Sequence, residues 1–259
     1  MKLKVPAAIL AVGIMITGAY MDLPKIDLFN ENQFKEQLLS YTTLEHSEVS
    51  DENEIQTDIQ DQDDQIIIND VPHIQQMPEL ARGCEVTSLA MLLQYAGVSV
   101  DKMTLAEEIT TVPFLDQYGL YGNPNEGFVG DIYTFENSGY GVYHSPIAEL
   151  AESYLPDRIV DLTGQSIDSV YQMIRNGSPV WVIVNSRFNS LPEDEFQEWE
   201  TESGDVQITY REHSVVVVGY DEDTVYINDP LAEEPYTSIS RENFEAAWVQ
   251  MGQQAVSYQ

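Results

Sequence analysis

Four short β-rich runs crowd toward the C-terminal end of the chain: VWVIVN at 180–185, VQITY at 206–210, SVVVVGY at 214–220 and TVYIN at 224–228. Each is rich in β-branched or aromatic residues and bounded by turn formers, which is the pattern of strands rather than of helix. Asp221-Glu222-Asp223 between the last two runs is a hairpin turn in the making, so 214–220 and 224–228 are expected to pair antiparallel. Helical spacing comes earlier. A helix should begin at about Gly83 and run to Tyr95, with Val86, Leu89, Ala90 and Leu93 on one face and Gly97 as its stop. Further helices fit 104–110, 146–154 (opened by Pro146), 166–176 (capped by Ser166, with Gly177 after its end) and 240–248 (capped by Ser240). A helical first part followed by an antiparallel sheet is an α+β pattern.

The hairpin also organises the chemistry. If its strands pair across Asp221–Asp223, His213 and Asp229 come to one end, a carboxylate beside an imidazole. His213 at the edge of a strand would be partly wet and able to titrate as a general base. His46, His73 and His144 lie in less favourable contexts: an acidic stretch, a loop and a turn. Taken alone, Asp229 before Pro230 reads as a turn residue. Cys84 is the single cysteine, which excludes an intrachain disulfide and any multi-cysteine metal site. A lone cysteine is more often a small buried hydrophobe than a nucleophile. Here, however, it follows Gly83 at a helix start, where backbone N–H groups and the helix dipole would favour a thiolate and lower the thiol pKa. Gly83 would also leave room for a substrate carbonyl. The order Cys, His, Asp, with the Cys on an early helix and the others on a late hairpin, is similar to the layout of papain-like cysteine enzymes.

The N-terminal part has a different character. Lys2 and Lys4 precede the apolar run VPAAILAVGIMITGA, the layout of a signal peptide with Thr17-Gly18-Ala19 as a cleavage site; an uncleaved anchor stays open. Residues 1–22 are read as this export segment. Residues 23–65 follow as an acidic spacer, with Phe29, Phe34, Leu38 and Leu39 at roughly helical spacing inside 26–44. Within it, 45–64 carries nine carboxylates and no Lys or Arg, too little apolar surface to offset its ordering entropy. The folded domain is expected over 66–259. The whole chain carries 44 acidic and 11 basic residues, a formal net charge of -33. Such a field repels phosphate backbones and argues against nucleic acid as a partner.

Three stretches resemble the C39-like peptidase family: VPHIQQMPELARGCEVTSLAMLLQYAG (71–97), NPNEGFVGDIYTF (123–135) and EHSVVVVGYDEDTVYINDP (212–230). The resemblance implies a papain-like cysteine peptidase fold, with an N-terminal helical part carrying Cys84 and an antiparallel sheet carrying His213 and Asp229. It implies Cys84 as nucleophile, His213 as base and Asp229 as the orienting carboxylate. It also implies Gln76 as oxyanion donor beside the Cys84 N–H, with Gln75 left open as the alternative. The family's glycine-rich stretch, here Gly127 to Asp131, either shapes a loop along the cleft or is a structural turn. No transporter-like spans and no phosphate-binding loop accompany the domain, so a transporter-coupled export role is not implied.

The expected activity is therefore hydrolysis of an amide bond by an exported or cell-surface thiol enzyme that needs neither cofactor nor metal. Its substrate would be a peptide or a cell-wall peptide, with a membrane tether through the N-terminal segment if that is uncleaved. Two rivals stand beside it: a non-catalytic cell-surface binding module on the same scaffold, and a transpeptidase or amidase using the same site.

Overall fold

The computed structural model describes residues 65–259. The expected export segment at 1–22, and the expected spacer at 23–65 apart from Gln65, lie outside the described residues, as does the helical pattern at 26–44.

The helices are α1 (Cys84–Tyr95), α2 (Lys102–Glu108), α3 (His144–Tyr154), α4 (Ile167–Arg175) and α5 (Arg241–Gln250). The strands are β1 (Ile66–Ile67), β2 (Thr111–Val112), β3 (Phe128–Val129), β4 (Ile159–Asp161), β5 (Val180–Asn185), β6 (Gln197–Thr201), β7 (Gly204–Ile208), β8 (Glu212–Tyr220), β9 (Thr224–Asn228), β10 (Thr237–Ser240) and β11 (Ala255–Tyr258). An antiparallel sheet runs in the order β10-β9-β8-β5-β11-β4, with β1 paired to the far end of β8. The α+β class and the papain-like arrangement expected from sequence are what the chain forms. The expected strands at 180–185 and 224–228 match β5 and β9 residue for residue.

Five elements differ from expectation for identifiable reasons. The apolar stripe read on α1 is too narrow a description, because every residue from Cys84 to Leu93 is buried. The helix runs through the middle of the domain, with Trp181 Nε1 donating to the Glu85 carbonyl at 3.0 Å and Ser88 Oγ to the Ser214 carbonyl at 3.1 Å. Strands β6, β10 and β11 (QEWET, TSIS, AVSY) carry too few consecutive β formers to signal themselves, and tertiary pairing holds them. Strand β8 begins at Glu212, so His213 stands inside it rather than before it.

Alternation along β5 sends Trp181 and Ile183 to one face of the sheet and Val180, Val182 and Val184 to the other. The first face packs under α1, α2 and α3; the second packs under α4 and α5 through Tyr171, Phe244 and Trp248. At roughly 1.5–3 kcal/mol per fully buried large apolar side chain, these two layers hold β8 and α1 firmly against each other. A third, smaller cluster joins Trp199, Tyr140 and Ile208 beside the ring of Tyr121, which stacks on Trp199 at 4.3 Å. One glycine in the sheet has a clear reason: a Cβ at Gly219 would lie 2.5 Å from the Ile66 carbonyl, so only glycine lets β1 close on β8.

Candidate active site

The N-terminus of α1, the start of β8 and the end of β9 meet at one cleft of about 420 Å³, whose lining includes Gln76, Cys84, Glu212 and His213. The hairpin register explains part of this. Val216 pairs with Asn228, so the chain beyond β9 passes beside the first residues of β8. His213 Nε2 and Asp229 Oδ1 are 2.8 Å apart. A carboxylate oxygen can only accept, so Nε2 carries a proton, and Nδ1 is the nitrogen left to exchange a proton with the thiol. The Leu231 N–H donates to the same Oδ1 at 2.9 Å. Burial works to raise the Asp229 pKa, but the hydrogen bond and charge of His213, with Leu231 N–H and His73, outweigh it and hold the carboxyl below its ordinary value.

The segment before α1 is laced to this end of the sheet. Asn228 Nδ2 donates to the carbonyls of Val71 and Pro72, and the Gln76 N–H donates to Pro230 at 2.9 Å. His73 Nε2 lies 3.0 Å from the Asp229 carbonyl, so a histidine set aside on sequence supports the backbone of the acid. These ties bring Gln76 into the cleft, 3% exposed, while Gln75 stays outside with its Nε2 facing the Ala232 carbonyl. Gln76 Nε2 is occupied, donating to the Leu80 and Ala81 carbonyls at 3.0 Å each, and its Oε1 is buried without a partner. An oxyanion role requires one of those two N–H bonds to be exchanged for the substrate oxygen.

Two expectations about the nucleophile are corrected. His213 is only 3% exposed, not partly wet, because β8 starts two residues earlier than expected and Phe188 packs on the ring at 6.0 Å. The Cys84 thiol is not lowered by its helix start. Burial pushes its pKa well up, the negative charges of Glu85 and Glu212 push it further, and the Ser214 N–H only partly opposes them. Cys84 Sγ lies 3.3 Å from Glu85 Oε2, and single ligand atoms of Cys84, Glu85 and Glu212 all fall within 4.8 Å of one another. Gly83 is fixed by packing: a Cβ there would meet Leu80 side-chain carbons at 2.6 Å.

Sequence reasoning passed over the cleft walls. Arg82 donates from Nη1 to the Asp131 and Thr134 carbonyls at 3.1 and 2.6 Å, and its guanidinium lies 4.9 Å from the Phe135 ring centre. Phe135, Tyr210 and Leu231, all lining the cleft, are 67%, 57% and 55% exposed. No residue of the glycine-rich stretch lines the cleft itself; Gly130 takes a φ of 80° where a Cβ would strike the Ser138 carbonyl. Its Asp131 shapes the turn beneath Phe135 by accepting from the Tyr133 and Thr134 N–H groups. Glu85 and Glu212 were equally invisible. An acid in the first turn of a helix suits the dipole, and an acid at a strand start reads as a solvated edge, so neither asks for a further explanation.

The family model described as Peptidase_C39 like family matches residues 68–256. The chain is 52% identical over 182 residues to the uncharacterized protein YvpB of Bacillus subtilis (strain 168), covering 70% of this chain and 71% of that protein. It is also similar to a solved structure from Bacillus anthracis, described as a candidate C39-like peptidase. That similarity has a TM-score of 0.75 and 59% identity over 76% of this chain and 98% of the other.

Proposed function

The chain belongs to the C39-like peptidase family, and from that premise we propose that it is a thiol hydrolase of amide bonds acting through Cys84, His213 and Asp229. The observation that carries the reading is the 2.8 Å bond between His213 and Asp229, with His213 lining the same cleft as Cys84 and Gln76. With Nε2 committed to Asp229, Nδ1 of His213 takes the Cys84 proton. The thiolate attacks the substrate carbonyl carbon. Charge then develops on the carbonyl oxygen, and the Cys84 N–H at the open end of α1, joined by Gln76 Nε2, receives it. His213 returns its proton to the leaving amine, and the C–N bond breaks to give a thioester. A water that loses its proton to Nδ1 then releases the acid and restores the thiol. Asp229 keeps the ring oriented and supports the imidazolium throughout.

The substrate proposed is a peptide or cell-wall peptide, and the site proposed for the reaction is outside the cell, on the strength of the N-terminal sequence pattern. No helix among the described residues is long and apolar enough to cross a membrane. The test is covalent labelling followed by cleavage of a peptide library. Wild-type protein should be alkylated by iodoacetamide at Cys84 and should cleave a subset of the library. Cys84→Ala should lose both, and His213→Ala should lose cleavage. Cleavage that survives Cys84→Ala would overturn the proposal.

A second reading, a binding module without catalysis, is favoured by one observation only: the thiol is buried between two carboxyl groups that disfavour its ionisation. It predicts a cysteine that resists alkylation throughout the neutral range in a protein that still binds cell-wall peptide.

A further inference from the structure

The two glutamates beside the nucleophile form an arrangement that the proposed mechanism does not use. Glu85 follows Cys84 on α1 and is 1% exposed; Glu212 precedes His213 on β8 and lines the cleft. Their carboxyl groups converge on one glycine. A Cβ built on Gly141 would lie 2.4 Å from Glu85 Oε1 and 2.9 Å from Glu212 Oε2. Glu85 Oε1 accepts from the Val142 N–H at 2.8 Å, and its Oε2 faces Cys84 Sγ at 3.3 Å. Glu212 Oε1 is buried and has no hydrogen-bond partner.

Other titratable and charged groups around the pair do not neutralise it. From the loop before α3 come Tyr140 and Tyr143, whose hydroxyls bond each other at 3.0 Å. From β8 comes His213, already committed to Asp229, which in turn has His73 behind its backbone. The Arg82 guanidinium is turned onto the carbonyls of Asp131 and Thr134. No lysine or arginine among the described residues forms an ion pair with either carboxyl group. Two carboxylates this close, buried and without a cation, cannot both ionise at neutral pH.

We propose that Glu85 and Glu212 share one proton beside the nucleophile, and that this pair, as a positioning device for the thiol hydrolase reading above on which the inference rests, sets the pH range in which Cys84 reacts. While the proton is held, the pair bears a single negative charge, and a carboxyl O–H is available to turn toward sulfur when His213 removes the thiol proton. When the pair releases that proton to solvent, a second negative charge confronts the thiolate and the thiol is harder to ionise. Burial places Glu85 at a pKa of about 7 against the pull of the Val142 N–H. Burial, with the charge of Glu85, takes Glu212 well higher than an ordinary carboxyl. Both shifts keep a proton on the pair above the ordinary carboxylate range, and that proton is lost as the pH rises.

The experiment measures the rate of Cys84 alkylation by iodoacetamide against pH, read by mass spectrometry, in full-length wild type, Glu212→Gln, Glu85→Gln and the double variant. The apparent thiol pKa should fall from wild type through the single variants to the double, by at least one unit overall. That shift is about tenfold in rate at a fixed pH below the wild-type value. Glu212→Asp, which keeps the charge, should stay near wild type. A purely structural role would lower thermal stability and leave the alkylation profile unmoved; an unmoved profile overturns the inference while the hydrolase reading stands. A wild-type Cys84 that is inert at every pH overturns the hydrolase reading and the inference with it. A second measurement needs no variant: carbon-13 titration of the glutamate carboxyls in wild type should find one that ionises near 7 and a second raised well above the ordinary carboxylate range. Finding every glutamate of the folded domain ionised by pH 6 would overturn the shared proton directly.

Discussion

Two carboxyl sites flank the same nucleophile and behave in opposite ways. At one, Asp229 is largely buried yet kept ionised, because His213 and the Leu231 N–H give its charge partners at 2.8 and 2.9 Å. At the other, Glu85 and Glu212 are buried with each other for company, and both are pushed toward the protonated form. Burial acts upward on all three groups. The partner decides the outcome: a histidine converts a buried acid into a fixed charge, and a second acid converts it into a proton store. A site built this way can hold an anion where the imidazole needs orienting and withhold one where the thiolate would be repelled.

The largest expected effect comes from breaking the ionised side. Asp229→Asn keeps the size of the side chain but removes the charge, so the imidazolium loses its support and the ring is free to take the wrong tautomer. On the hydrolase reading, kcat should fall by a factor on the order of 10³–10⁴ with little change in KM. The sign of the pH effect follows from the lowered Asp229 pKa. A depressed carboxyl contributes stability that is present above its unfolded value and is lost as pH falls through the folded value. Acid-limb destabilisation, followed by thermal melting below pH 4, should accordingly be weaker in the variant.

Gln76→Ala comes next. The Gln76 amide serves the turn carbonyls of Leu80 and Ala81 and is also the proposed oxyanion donor. Loss of one oxyanion donor costs on the order of 10²–10³ in kcat. A variant that loses melting temperature but keeps kcat would place Gln76 among the turn-forming residues alone.

The protonated side is broken by Glu212→Gln. Its folded pKa is raised, so wild type holds a proton that the unfolded chain gives up, and stability falls as pH rises above the ordinary carboxylate value of 4.5. One fully retained proton corresponds to a slope of about 1.4 kcal/mol per pH unit. Between pH 5 and 7 wild type should lose stability that the glutamine variant keeps, as read from denaturant melts at the two pH values.

How much of this was legible in the chain depends on distance along it. The β5, β8 and β9 runs declared themselves because valine-rich segments with turn residues at their ends have few other folds open to them, and the hairpin they form carries His213 and Asp229 to one place. Cys84 was legible as a helix start. Its electrostatics were not, because they depend on Glu212, which lies 128 positions away in sequence and arrives only when α1 docks on β8. The same holds for Arg82 and Phe135. The arginine reads as a surface cation until the loop at 131–135 folds over it and gives its N–H groups two carbonyls. Local pattern reports what a segment can become; the charge state of a buried group is a property of what folds against it.

Gly141 offers the smallest and most selective perturbation of the contrast. The atoms that a Cβ there would strike are carboxyl ends at 2.4 and 2.9 Å, not backbone, so the strain can be relieved by swinging a side chain. Glu212 lines the cleft and is only half-buried as a residue. Glu85 is enclosed and would give up its 2.8 Å bond from Val142. Gly141→Ala should therefore cost only about 1 kcal/mol, at the low end for overpacking a core position, while moving at least one carboxyl away from Cys84 Sγ. Its signature is a pair of opposite changes: a slightly lower melting temperature and a thiol that alkylates faster at pH 7. Combined with Glu212→Ala, the substitution should lose most of its effect on the thiol, because residues acting through one contact are not additive. Full additivity in that cycle would place Gly141 outside the path by which the carboxyl pair reaches the nucleophile.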